Sequence, residues 1–221
     1  MGDLHRRQHD SILAAAERRL LVAMATRLPA RVTSDGLTLL ALASMIGAGA
    51  AFAWTPGRPG MAAMTIAALA LNWFGDSLDG TLARVRRCER PRYGFYVDHV
   101  VDLVGVTALV AGMGASGAMR PIAAAAVLVA YLLVAAESFL ATHATGTFRV
   151  SFAGVGPTEL RILVAIAACR VAVDPGSRLL DIGGAIGAAG LAWALICSAM
   201  RTARALRVAE PLPRRDARRA A

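Results

Sequence analysis

Four aspartates stand where charge is costly. Asp76, Asp79, Asp98 and Asp102 lie in or beside long apolar runs, and an ionised Asp at the centre of a membrane helix costs about 2.5–3.5 kcal/mol on insertion scales. Their spacing gives a reason for them. Asp76 and Asp79 are i,i+3 and Asp98 and Asp102 are i,i+4, so on helices each pair shares one face. If the two helices are antiparallel neighbours joined by the basic segment 85–93, the pairs face each other near one membrane boundary. Carboxylates crowded together repel unless cations neutralise them. An all-oxygen donor set favours hard cations, Mg²⁺ or Mn²⁺, with substrate phosphate completing the shell. Two such ions flanking one phosphorus would stabilise charge on both bridging oxygens, and one carboxylate could serve as general base toward an alcohol. Gly80 and Ala83 are small enough to let a ligand or helix approach the backbone. Arg84, one turn beyond Gly80, is placed to hold a phosphate by paired donors.

The elements that must position these groups follow from composition. Of the 221 residues, 57% are hydrophobic and the mean hydropathy is +0.54. Charge is absent from Leu37 to Trp54, Gly60 to Gly75, Leu103 to Met119, Pro121 to Ala136 and Ile182 to Met200. Runs of that length approach the ~20 residues that span a bilayer core, which excludes a soluble enzyme, a disordered chain and a disulfide scaffold. The expected fold is all-α: a polytopic membrane protein with six transmembrane helices, near 35–54, 61–84, 95–116, 120–141, 158–173 and 180–204. An amphipathic helix over 11–28, lying in the membrane interface, precedes them. Domain boundaries follow: an N-terminal segment 1–33, a six-helix domain 34–204 and a basic tail 205–221. Cys88, Cys169 and Cys197 form no framework.

The net charge of +9 is carried by arginine, with no lysine. With both termini in the cytoplasm, twenty of the 24 basic residues fall on the inner side, a positive-inside pattern. The tail after Met200 then reads as an orientation and anionic-lipid feature. No nucleic-acid partner is expected, because no reading module accompanies the charge. The Ala- and Arg-rich composition suggests a bacterial inner membrane.

The segment Asp76-Ser-Leu-Asp79-Gly80-Thr-Leu-Ala83-Arg84, nine further residues, then Gly94-Phe-Tyr-Val-Asp98-His-Val-Val-Asp102 resembles the signature of the CDP-alcohol phosphatidyltransferase family, D-x-x-D-G-x-x-A-R … G-x-x-x-D-x-x-x-D, at all eight positions. The resemblance extends to the six spans and the interfacial helix, over about residues 11–205. It implies transfer of a substituted phosphate from a CDP-linked donor to an alcohol with release of CMP, two divalent ions (Mg²⁺ or Mn²⁺) and a homodimer. It further implies that Asp76, Asp79 and Asp98 hold one ion, that Asp76, Asp98 and Asp102 hold the other, and that Asp102 accepts the proton of the incoming hydroxyl. Asp79, Gly80, Ala83, Arg84 and Gly94 would line the CDP site together with Thr38. One departure stands at the first span, where many members carry Asn and this chain has Asp35, which could serve equally as an N-cap.

The donor is left open between CDP-diacylglycerol and a CDP-headgroup. Asp98-His99 and Gly156-Pro-Thr-Glu159 faintly resemble the choline/ethanolamine branch. Acceptor-site candidates are Glu137, Arg149, Glu159 and Arg161, the arginines suiting an anionic acceptor. Gly183-Gly-Ala-Ile-Gly187 permits a close helix approach, within the chain or across a dimer. The alternative from another class is a small cation or proton transporter using the aspartates as an ion path. It does not call for Gly80, Ala83, Arg84 or Gly94.

Overall fold

The computed structural model describes residues 12–146 and 157–211. Among them the chain is helical throughout, in the order α1 (Ile12–Arg27), α2 (Ser34–Ala53), α3 (Pro59–Val85), α4 (Pro91–Ala115), α5 (Pro121–Thr145), α6 (Pro157–Val173) and α7 (Leu179–Ala209). Proline opens α3, α4 and α5, where its missing N–H costs no intrahelical bond and its fixed φ suits the first turn. Five helices, α2 to α5 and α7, are long and apolar enough to cross a membrane by length and composition. The expected fifth span forms as α6, but at 17 residues it falls short of that measure. It also carries Glu159, Arg161 and Arg170, and one of these has a structural task described below. Large apolar side chains such as Leu39, Ile122, Leu140, Ile166 and Trp193 point outward, as expected of a surface solvated by lipid rather than water.

The centre is built by α2, α3 and α4. Phe52, Ala48, Leu69 and Leu109 are nearly or fully buried there, joined by Val164 and Ala168 from α6. At its closest the α2–α4 contact is backbone against backbone. A Cβ built on Gly49 would lie 2.3 Å from the Ala108 carbonyl oxygen, and one on Gly112 would lie 2.0 Å from that of Gly49. Gly105 gives Met45 the same room. Small residues at such positions let two helices approach where lipid provides no hydrophobic force to drive them together. The stripe singled out from sequence in α7 behaves differently. Only Gly184 meets a neighbour, Met119, whereas Gly183 and Gly187 face open space. α7 packs chiefly on α5 and has no buried residue.

The turn between α3 and α4 presents the site. Arg87 is left-handed (φ 53°), its N–H bonds to the Arg84 carbonyl at 3.1 Å, and the Cys88 N–H bonds to the Ala83 carbonyl at 3.0 Å. Those two bonds make a Schellman close, in which glycine is the usual left-handed residue. Arg87→Gly is therefore expected to raise stability by about 1 kcal/mol, read as a higher melting temperature in detergent.

α1 departs from a purely interfacial role. Leu21 and Ala25 are buried against Leu37, Leu78 and Leu82, while Leu20 and Val22 remain exposed. Its C-terminus is held from α3: the Arg86 guanidinium donates to the carbonyls of Leu28 (3.1 Å), Pro29 (2.9 Å) and Val32. A cation on carbonyls just past the end of a helix is favourable both as hydrogen bonding and against the helix dipole.

Candidate active site

α2 sets the register of α3 at the site. Thr33 is the N-cap of α2, its side chain accepting from the Gly36 N–H at 3.0 Å. The expectation of an Asp35 cap is thus corrected: in the run Thr33-Ser34-Asp35 the first residue reaches the open N–H. Asp35 instead pairs with Arg90, 2.5 Å away, both side chains about half exposed. The Ser34 hydroxyl donates to the Asp79 carbonyl at 2.9 Å. Gly75 lets α3 close on α2, since a Cβ there would lie 2.6 Å from the Leu37 carbonyl oxygen.

On that frame α3 and α4 bring three carboxylates together. Asp76, Asp98 and Asp102 each offer an oxygen, and the three oxygens lie within 4.8 Å of one another. Asp76 and Asp98 are partly buried and Asp102 is open. Three carboxylate oxygens at such separations fit a hard divalent cation in an oxygen shell.

Asp79 stands apart from that group. It is 9% exposed, one oxygen accepting from the Thr38 hydroxyl at 2.7 Å and the other from the Gly80 N–H at 2.5 Å. Thr38, expected near the nucleotide, donates its hydroxyl to Asp79. A hydrogen bond to an ionised group is worth roughly 1.5–3 kcal/mol, so Thr38→Val should lower stability by about that amount. Denaturation in detergent is the check, and an unchanged midpoint would show that the bond contributes nothing.

Two polar residues link α6 to this cluster. Arg161 is 12% exposed and its Nη2 donates to Asp76 at 2.6 Å, while its Nε donates to Asn72 Oδ1 at 2.7 Å. The Asn72 amide in turn donates to the Ala41 carbonyl at 2.9 Å. A buried cation of this kind is tolerated because its donors are matched. Asn72 was not anticipated from sequence. The signal available was a lone amide in an apolar run, one turn before Asp76. Arg161, expected as an acceptor-site cation, is engaged by Asp76 directly.

The remaining candidates divide. Arg84 donates to the Thr81 hydroxyl at 3.1 Å, and its guanidinium folds over Gly80, where an added Cβ would meet it at 3.6 Å. Gly94, in the first turn of α4, has nothing within 4 Å of such a Cβ, so its smallness serves no packing contact among the described residues. Ala83 is partly buried beside them. Glu137 is turned to α7, Oε1 accepting from Thr202 at 3.3 Å and Oε2 buried without a hydrogen-bond partner among the described residues. It is not among the three clustered carboxylates. Glu159 is exposed in the first turn of α6, and Arg149 lies outside the described residues. His99 packs its ring between Phe95 and Phe139.

A family model for CDP-alcohol phosphatidyltransferase matches residues 31–200. The chain belongs to that family. No curated protein matches the chain. Membership decides between the two classes of function left open by the aspartates alone: this CDP-alcohol phosphatidyltransferase is a transferase of substituted phosphate groups, of the kind used in phospholipid synthesis. The family generally uses divalent metal ions, for which the Asp76, Asp98 and Asp102 oxygens provide donors.

Proposed function

We propose that the protein transfers a substituted phosphate from a membrane-bound CDP-linked donor to an alcohol, releasing CMP, at the boundary where α3 ends and α4 begins. The observation that carries the reading is the convergence of Asp76, Asp98 and Asp102 within 4.8 Å, on a pair of helices of which α3 also carries Arg84, an arginine with no carboxylate partner among the described residues. Asp76, Asp98 and Asp102 would hold divalent metal, while Asp79, one turn along α3 from Asp76, accepts from the Thr38 hydroxyl and the Gly80 N–H. Bound Mg²⁺ or Mn²⁺ would polarise the pyrophosphate and neutralise charge on the departing CMP.

The protein's own residues do the rest. Asp102, the most open of the three carboxylates, takes the proton of the acceptor hydroxyl. The freed oxygen forms a bond to the donor's phosphorus, and the bond from that phosphorus to the CMP oxygen breaks. Arg84 holds donor phosphate over Gly80, and the absence of a side chain at Gly80 and Gly94 leaves the approach open. Arg161 keeps the Asp76 carboxylate turned toward the cluster. The orientation with both termini in the cytoplasm, a bacterial inner membrane and a homodimer belong to the same reading, supported by the arginine distribution and the family resemblance.

The test is CMP release by the purified protein with Mg²⁺ or Mn²⁺. CDP-diacylglycerol is offered with a panel of polar alcohols, then CDP-choline and CDP-ethanolamine with diacylglycerol. Metal-dependent CMP from one pairing identifies donor and acceptor together. A folded protein that neither binds CDP nor turns over any pairing overturns the proposal.

A further inference from the structure

The packed stripe of α1 carries a charge that packing does not explain. Leu21 and Ala25 are buried on the protein, and Arg18, one turn before Leu21, lies on the same face. It overlooks a cavity of about 210 Å³ between α1 and α3, lined by Arg18, Val22, Thr81, Arg84 and Val85. Neither arginine has a carboxylate within ion-pair distance among the described residues. Among the described residues the Arg84 guanidinium donates to the Thr81 hydroxyl, which orients it without neutralising it.

We propose that Arg18 is a phosphate-positioning residue of the nucleotide site, facing Arg84 across this cavity and completing a two-guanidinium clamp on the donor's pyrophosphate. The inference rests on the proposed function, in which Arg84 holds donor phosphate. It goes beyond that reading because α1 precedes the matched residues 31–200. Three features favour it. Two like charges that share a small cavity without an internal anion repel one another unless an anionic group enters. Guanidinium forks match phosphate oxygens bidentately. The cavity also opens beside the right atoms, because Arg84 folds over Gly80, whose N–H is bound by Asp79. The clamp of Arg86 on the α1 C-terminus and the burial of Ala25 hold α1 in the register that brings Arg18 to this wall.

Equilibrium binding of CDP and of cytidine to the purified full chain tests it, with Arg18→Gln, Arg18→Lys, Arg84→Gln and Arg19→Gln. Arg19 is exposed and does not line the cavity, so it reports on net charge alone. Arg18→Gln should weaken CDP about tenfold and leave cytidine unchanged, Arg18→Lys should fall between, and Arg19→Gln should bind CDP normally. Normal CDP affinity in Arg18→Gln with weakened Arg84→Gln overturns the Arg18 inference and leaves the proposed function standing. Normal affinity in both overturns the phosphate role of Arg84 as well. Equal weakening of CDP and cytidine, or equal loss in Arg18→Gln and Arg19→Gln, also overturns the clamp, since distortion or bulk charge would then account for the effect.

Discussion

Asp102→Asn is expected to lower turnover by about 10²–10⁴-fold, the range that a positioned general base contributes. Asparagine keeps the shape and one carbonyl oxygen but cannot accept the hydroxyl proton. The difficulty is that Asp102 also shares the cluster with Asp76 and Asp98, so lost activity alone does not distinguish a lost base from a lost ligand. A Mn²⁺ titration does. If the defect lies in proton transfer, saturating Mn²⁺ leaves the rate low while CDP still binds. Full recovery at high Mn²⁺ would assign Asp102 to ion holding alone, and a variant with near-normal turnover would remove it from the chemistry.

The second large effect concerns one methyl group. Gly112→Ala places a Cβ 2.0 Å from the Gly49 carbonyl oxygen, a contact that no side-chain rotation relieves because both partners are backbone. α2 and α4 must separate, at a cost of about 1–3 kcal/mol or somewhat more. The matched control is Gly187→Ala in α7, which meets nothing within 4 Å and should gain stability, by up to about 1 kcal/mol, from the better helix propensity of alanine. The same substitution thus moves the melting temperature in opposite directions at two helix glycines. A neutral Gly112→Ala would show that the α2–α4 approach is looser than described. Because α4 also carries Asp98 and Asp102, the destabilised variant should lose activity along with stability.

These residues also show what could be read before folding was known. Asp76, Asp98 and Asp102 were apparent because a carboxylate in an apolar run is rare and i,i+3 or i,i+4 spacing reports a shared face. The convergence of two such faces needed only a short connection between antiparallel helices. Asp79 carries the same spacing, yet its placement depends on Thr38, 41 residues earlier, and on how α2 is rotated, which periodicity does not determine. Asn72 and Arg161 are 89 residues apart, and neither has a partner in its own helix to announce the pair. Glycine patterns are ambiguous in both directions. The spacing in α7 marks a small-residue face but not whether anything packs there, and the closest backbone approach falls at Gly49 and Gly112, which local spacing did not bring out. The run Thr33-Ser34-Asp35 offers several residues able to cap α2, and only the path of the chain selects Thr33.

The clamp of Arg86 on the end of α1 bears on biosynthesis. Its acceptors lie 54 to 58 residues earlier in the chain, and Leu78 and Leu82, which cover Leu21 and Ala25, are likewise part of α3. At ribosomal speeds of about 5–20 residues per second, the first helix emerges several seconds before the part of α3 that it docks on. During that interval its apolar side has the bilayer surface and, once α2 follows, Leu37 to shelter it. The contact that seats it against α3 forms afterwards, so the N-terminal helix is synthesised first and assembled late.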